Sequence, residues 1–164
     1  TAEPPPVEAL VPRAAILDHV ETTRVSMPLV PQPAPVQRVE VCFLTPTELK
    51  GSGELPDFAI LFARARDRVS TLRALYGPGP LDIDFRGMGE RAAAVRLSRC
   101  EIEHVRADRT SRGTGQRHPL GGFTGTAEYE GDLSEFLPFL RAAQWTGVGR
   151  QTVWGKGAIA VRAR

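Results

Sequence analysis

Near its carboxyl end the chain reads Gly147-Val148-Gly149-Arg150-Gln151-Thr152-Val153-Trp154-Gly155-Lys156-Gly157, and the apolar run Ala158-Ile159-Ala160-Val161 follows at once. Because glycine has no Cβ, two Gly-X-Gly steps allow positive φ angles and let a ligand approach main-chain N–H groups. Arg150 and Lys156 in the same loop favour an anionic ligand. The loop precedes a strand and lacks the Gly-Lys-Ser/Thr of a P-loop, so we favour a polyanion lying across a surface over a small metabolite's phosphate.

The segments before this loop predict the order strand, helix, strand, strand, helix, strand. The predicted strands cover residues 38–44, 93–105, 120–129 and 158–161, and the predicted helices run from Pro56 to Tyr76 and over 137–143. Apolar parity changes near Ser98-Arg99, which indicates a bulge or bend in the second strand. This order is that of the ferredoxin-like α+β fold, βαββαβ, with four antiparallel strands and two helices on one face. The exposed sheet face and the loops at its edge would then carry single-stranded nucleic acid.

The amino-terminal part differs in composition from the rest. Residues 1–36 are predicted to form an arm or linker, and the proline-rich run 28–35 should be extended because proline fixes φ and removes amide donors. The ferredoxin-like domain is expected over residues 37–164. The chain begins with Thr1, so we expect it to be part of a longer product and the arm to be the remnant of a preceding domain.

Composition limits the function classes. Hydrophobic residues make up 41% and charged residues 24%, which is typical of a soluble globular protein. Neither a membrane-length apolar run nor a secretion signal is visible, so a cytoplasmic location is expected. Cys42 and Cys100 lack metal-ligand spacing and are predicted to be buried thiols. The net charge is only +2, but cations outnumber acids after Asp132, as a phosphate-binding face requires.

Four blocks in register resemble a known family. They are Phe43-Leu44-Thr45-Pro46-Thr47-Glu48-Leu49-Lys50, Arg117-His118-Pro119-Leu120-Gly121-Gly122-Phe123-Thr124-Gly125, Tyr129-Glu130-Gly131-Asp132-Leu133 and the glycine-rich loop. From about residue 38 onwards, the chain resembles the C-terminal, glycine-rich-loop half of the Cas6 endoribonucleases, which are repeat-associated RNA-binding proteins of CRISPR antiviral defence. Lys156 departs from the pattern, since an apolar residue is expected between the last two glycines in many relatives.

The resemblance implies RNA cleavage without a metal or other cofactor. In this reaction a ribose 2′-hydroxyl attacks the adjacent phosphate and leaves a cyclic phosphate and a 5′-hydroxyl, which requires a base, an acid and a cation. Of the three histidines, His118 is the candidate catalytic residue, while His104 on a strand and His19 in a turn have structural interpretations. In the family, the proton-transferring histidine usually belongs to the N-terminal domain. We therefore leave the catalytic residues unassigned and expect this fragment alone to bind weakly and not to cut.

The predicted RNA-binding residues are the cations and glycines of the loops. They are Lys50, Arg109, Arg112, Arg117, His118, Gly147, Gly149, Arg150, Gly155, Lys156 and Gly157. Arginine can bind phosphate bidentately, and loop amides add donors. Trp154 and Phe123 could stack on bases, but an aromatic residue beside a strand more often belongs to the core.

Expected partners are CRISPR repeat RNA or crRNA, other Cas proteins and a second copy of the chain, but no membrane. Two alternatives stay open. One is a non-catalytic crRNA-binding subunit of a CRISPR effector complex, and the other is a ferredoxin-like module that binds a small anion or a protein.

Overall fold

The computed structural model describes residues 26–106, 108–110, 117–119 and 121–164, with the backbone alone at 108–110 and 117–119. The strands are β1 (Arg38–Thr47), β2 (Arg96–Val105), β3 (Asp108–Thr110), β4 (Arg117–Pro119), β5 (Gly122–Glu130) and β6 (Ile159–Ala163). The helices are α1 (Phe58–Tyr76), α2 (Phe85–Ala92) and α3 (Leu137–Thr146). A 3-10 turn at Thr152–Trp154 lies inside the glycine-rich loop. No described helix is long and apolar enough to cross a membrane.

The main sheet has the antiparallel order β2-β5-β1-β6, and the predicted ferredoxin-like α+β fold is confirmed. Alternation along β1 buries Val39, Val41 and Phe43 on one face. Helix α1 begins after Asp57, whose carboxylate caps the Ile60 amide at 3.0 Å. Aromatic side chains from both long helices and β5 fill the core with edge-to-face contacts between Phe58, Phe62, Phe136, Phe139 and Tyr129.

Two features of the strands test the sequence interpretation. The register of β2 against β5 shifts between Leu97 and Arg99, which confirms the bulge predicted there. Strand β1 continues to Thr47 instead of ending at Leu44, with an irregularity between Phe43 and Thr47. Pro46 lies within that irregularity, where the missing amide hydrogen interrupts no regular ladder. The strand therefore carries Thr47 and the residues after it to the edge of the sheet.

Helix α2 was not predicted, so the two-helix expectation was wrong by one short element. Its sequence contains Gly87 and Gly89, which weaken the local helical signal. A local cap and tertiary contacts stabilise it instead. Asp84 caps the Gly87 amide at 2.8 Å, Met88 is buried, and the Arg66 guanidinium of α1 donates to the Phe85 carbonyl oxygen at 2.8 Å.

The segment before β1 is hydrogen-bonded to the rest of the domain. The Gln32 amide donates to the Ser134 carbonyl oxygen and the Val36 amide to the Ser134 hydroxyl, each at 3.0 Å. The proposed boundary at residue 36 stays a prediction, and the arm before residue 26 lies outside the described residues. Both cysteines are free but half-buried, not buried as predicted. Cys42 lies on the sheet face away from the helices, where no described layer covers it.

Candidate nucleic-acid interface

The glycine-rich loop folds back onto the end of β1. The Arg150 amide donates to the Glu48 carbonyl oxygen at 3.0 Å, and the Gly157 amide donates to the Pro46 carbonyl oxygen at 3.2 Å. The loop closes on itself through the Val148 amide, which donates to the Gly157 carbonyl oxygen at 2.9 Å. We call the surface formed by residues 48–50, Gly121 and the loop 147–157 the loop edge.

The glycines of the loop have different roles. Gly149 and Gly157 have φ angles of 83° and 73°, and a Cβ there would overlap the carbonyl oxygens of Glu48 and Val148. Gly147 ends α3 with a φ of 70°. Gly155 has a φ of 82°, and a Cβ there would meet nothing within 4 Å. The close approach predicted from the glycines is therefore made by the protein's own backbone at Gly149 and Gly157, whereas Gly155 is open to an approaching ligand.

One carboxylate joins the two cations of the loop. Glu48 Oε1 accepts from Arg150 Nη1 at 2.7 Å, and Glu48 Oε2 accepts from Lys156 Nζ at 3.3 Å. Burial by itself would raise the pKa of the Glu48 carboxyl, but hydrogen bonds from Arg150 and Lys156 hold that pKa below its ordinary value. Glu48 was not among the predicted site residues, because it is one of several acids scattered over the first part of the chain and carries no sequence signal for binding.

The three predicted cations of the loop edge differ in exposure. Arg150 has 59% of its side chain exposed, and Lys50 is exposed in the turn after β1. The Lys156 side chain is only 4% exposed. Its ammonium donates to the Gly121 carbonyl oxygen at 2.7 Å and to Gln151 Oε1 at 2.9 Å, besides Glu48. The structure thus places Lys156 inside the protein, not on the surface where the charge pattern put it.

The tip of the loop presents apolar side chains. Val153 is 79% exposed and Trp154 42% exposed. Phe123, the other stacking candidate, is buried edge-to-face against Phe43 with ring centroids 4.8 Å apart, so it belongs to the core, as the sequence favoured. Among the residues that the structure describes, the amides of Gln151, Thr152 and Val153 donate no hydrogen bond to the protein.

The arginine-bearing segment after β2 forms a short ribbon in which Arg109 pairs with His118 and Thr110 pairs with Arg117. The side chains of Arg109, Arg117 and His118, and all of Arg112, lie outside the described residues, as does His19. Strand β4 of the ribbon precedes Gly121 in the chain, and the Gly121 carbonyl oxygen accepts a hydrogen bond from Lys156. His104 is exposed on β2, with its ring centroid 6.4 Å from that of Phe123. Within the described ranges, no group of three histidine, cysteine, aspartate or glutamate residues could hold a metal ion.

The sheet face away from the helices, which we call the open face, carries paired charges. Its described arginines contact glutamates: Arg38 contacts Glu128 and Glu130, Arg96 contacts Glu130, Arg99 contacts Glu101, Arg162 contacts Glu40, and Arg164 contacts Glu40 and Glu128. The aromatic residues of the main sheet, Phe43, Phe123 and Tyr129, are all buried on the helix side. The described part of the open face therefore offers no stacking platform, and the loop edge is the better candidate for a nucleic-acid interface.

Comparisons with known proteins agree with the fold. A sequence model described as CRISPR-associated endoribonuclease Cas6 matches residues 41–159. No curated protein matches the chain. The fold is similar to that of Thermus thermophilus Cas6 (TTHB231), with a TM-score of 0.61, 20% identity, and coverage of 79% of this chain and 55% of that one. For the Cas6 (TTHA0078) product complex, the TM-score is 0.53 and identity 23%, over 81% of this chain and 53% of that one.

A third similar structure is a partial Cas6-RT-Cas1–Cas2 complex, with a TM-score of 0.52 and 13% identity over 80% of this chain and 23% of that one. The chain thus spans about half the length of the two solved Cas6 proteins it resembles.

Proposed function

Because the chain belongs to the Cas6 family of CRISPR-associated endoribonucleases, we propose that it binds CRISPR repeat RNA at the loop edge and contributes to its processing in the cytoplasm. The observation that carries this proposal is the convergence of the glycine-rich loop with the end of β1 and the start of β5. This convergence brings an exposed guanidinium, amides that have no partner among the described residues and a half-exposed indole to one edge of the sheet.

The proposed RNA contacts follow from the chemistry of each group. Arg150 and Lys50 bind phosphates, because exposed cations can release condensed counterions from the backbone. The Gln151, Thr152 and Val153 amides add donors to phosphate oxygens. Trp154 stacks on a base, since an indole face tolerates any base. Arg109, Arg112 and Arg117, whose side chains lie outside the described residues, stay proposed phosphate contacts.

We assign cleavage to the full-length protein. The reaction is metal-independent attack of the 2′-hydroxyl on the adjacent phosphate, and its proton-transferring group is His118 or a residue outside this chain. The test is cleavage of a stem-loop repeat RNA by full-length protein in EDTA. A product with a cyclic phosphate is expected, and the absence of any product would reject the nuclease assignment. Replacement of His118 by alanine distinguishes the two sources of the proton-transferring group.

The binding proposal has its own test with this chain. A fluorescein-labelled stem-loop repeat RNA should bind with an affinity that falls steeply as salt rises, and Arg150→Ala should lower the slope of log K against log[salt] by about 0.7 to 0.9. Arg162→Ala is the matched control, because Arg162 is also an exposed arginine but lies on the open face. Equal losses in the two variants would contradict binding at the loop edge.

A second candidate function is that of a non-catalytic crRNA-binding subunit. In this case the protein, as a monomer or a homodimer, associates with other Cas proteins. It is favoured by the loop edge itself, where the described side chains offer cations and an indole but no histidine. Salt-dependent RNA binding without cleavage by the full-length protein would support this candidate over the nuclease.

A further inference from the structure

The ammonium of Lys156 is fully used inside the protein. Its three protons face three acceptors: the Gly121 carbonyl oxygen at 2.7 Å, Gln151 Oε1 at 2.9 Å and Glu48 Oε2 at 3.3 Å. With the side chain 4% exposed, it has neither a free donor nor surface for a phosphate. A direct contact between Lys156 and RNA therefore does not account for a cation at this position.

The three acceptors come from three segments that must be held together. Glu48 follows β1, Gly121 precedes β5, and Gln151 lies in the glycine-rich loop with a φ of 61°. Positive φ is unfavourable for a residue with a side chain, so this conformation needs support from other contacts of the residue. The hydrogen bond from Lys156 to the Gln151 side chain supplies such support at the residue next to Arg150.

Glu48 divides its two oxygens between a buried cation and an exposed one. Lys156 is held inside, whereas Arg150 has 59% of its side chain exposed and can turn towards a phosphate. If Arg150 left Glu48 in the absence of Lys156, a half-buried carboxylate without a counter-ion would stand beside the incoming phosphate. With Lys156 in place, Glu48 stays neutralised while Arg150 changes partner.

From this geometry we infer that Lys156 is a positioning residue that keeps Glu48 neutralised, so that Arg150 can exchange the Glu48 carboxylate for an RNA phosphate. The inference rests on the proposed RNA-binding function and deepens it. Arg150 makes the phosphate contact, Glu48 competes with phosphate for it, and Lys156 decides how readily that competition is lost. Selectivity for phosphate follows, because an anion that binds Arg150 only weakly does not displace Glu48.

The test is a rescue experiment with the labelled stem-loop repeat RNA. Lys156→Met should weaken binding about tenfold and lower the salt slope by nearly one, because Arg150 then stays with Glu48. Adding Glu48→Gln to Lys156→Met removes the competing charge, so affinity should return to within about threefold of the parent and the slope should recover. Glu48→Gln alone should tighten binding.

Two outcomes would overturn the inference. If Lys156 contacted phosphate directly, Glu48→Gln would restore neither the affinity nor the slope lost in Lys156→Met. If Lys156 only supported the loop, the double variant would also stay weak, because it still lacks the bonds to Gly121 and Gln151. Arg162→Ala, in which an open-face pair with Glu40 is removed, should match the parent protein throughout.

A measurement without RNA separates this inference from the proposed function. Lys156→Met should lower the melting temperature more in the parent protein than in the Glu48→Gln variant, because only the carboxylate is left partly uncompensated. Additive effects would refute the shared-carboxylate arrangement even if RNA binds. Conversely, non-additive unfolding with no RNA binding by the parent protein would reject the proposed function and leave the ion-pair arrangement standing.

Discussion

The open face and the loop edge both contain arginine–glutamate pairs, yet they differ in how the pairs are built. On the open face, Glu40 and Glu128 at the centre of the sheet each contact two arginines whose side chains are largely exposed. At the loop edge, Glu48 has one exposed partner, Arg150, and one buried partner, Lys156. The buried partner satisfies Glu48 from within and leaves the guanidinium exchangeable.

This difference shows why the number of cations on a surface is a poor guide to anion binding. The open face carries more arginines than the loop edge, but they lie among glutamates that repel phosphate. Exposed ion pairs contribute little to stability, about 0 to 1 kcal/mol each. Their main consequence here is a face without strong net attraction for RNA.

The largest effect is expected from breaking the backbone contact that forms the loop edge. Gly157→Ala places a Cβ against the Val148 carbonyl oxygen at a φ of 73°, so we expect a loss of about 3 kcal/mol in the free energy of unfolding and loss of RNA binding. Gly155→Ala is the control, because its Cβ meets open space and only the unfavourable φ remains, at about 1 kcal/mol. Urea unfolding of both variants measures the difference, and equal losses would contradict the assigned roles.

A smaller effect, on RNA affinity, should distinguish two exposed tryptophans. Trp154→Ala at the loop tip should weaken RNA binding by about 2 kcal/mol, because stacking on a base is lost. Trp145→Ala is the matched control, since Trp145 is 71% exposed on α3 beside Ser26 and Met27. Fluorescence anisotropy with the labelled RNA measures both. Similar losses in the two variants would show that RNA covers the helix side as well.

The third prediction concerns a double variant whose open face resembles the loop edge more closely. Replacing Glu40 and Glu128 by glutamine removes carboxylate partners from Arg38, Arg162 and Arg164. We expect RNA affinity at low salt to rise a few-fold, about 1 kcal/mol, together with a steeper salt slope. An unchanged slope in the double variant would indicate that charge neutralisation is not what keeps RNA off this face.

The smallest effect concerns pH. Because the pKa of Glu48 is lower in the folded protein than in the unfolded chain, its stabilisation is present above the unfolded pKa of about 4.3. That stabilisation is lost as pH falls through the folded pKa. The free energies of unfolding of the parent protein and of Glu48→Gln, measured at a series of pH values, should therefore converge as pH falls below about 4.3. A constant difference between the two free energies of unfolding down to the lowest pH would contradict the lowered pKa of Glu48.

Much of the fold could be predicted because its signals are local. The helical spacing of Phe58, Leu61, Phe62 and Ala65 indicated α1, and the parity change at Ser98-Arg99 located the bulge in β2. Helix α2 was missed because its glycines weaken the local helical signal, while its stability depends on tertiary contacts, namely the hydrogen bond from Arg66 and the burial of Met88. The same reason applies to the end of β1, where pairing with β5 resumes at Thr47.

By itself, the sequence determined the order of the main strands, the family and the position of the loop that brings cations to the sheet edge. Only the tertiary structure decided which cation faces solvent. Arg150 and Lys156 are equally charged and six positions apart, but Lys156 is enclosed by Glu48 and Gly121, which are 108 and 35 residues away in the chain. Burial of a charge depends on such distant acceptors, and no local pattern encodes them.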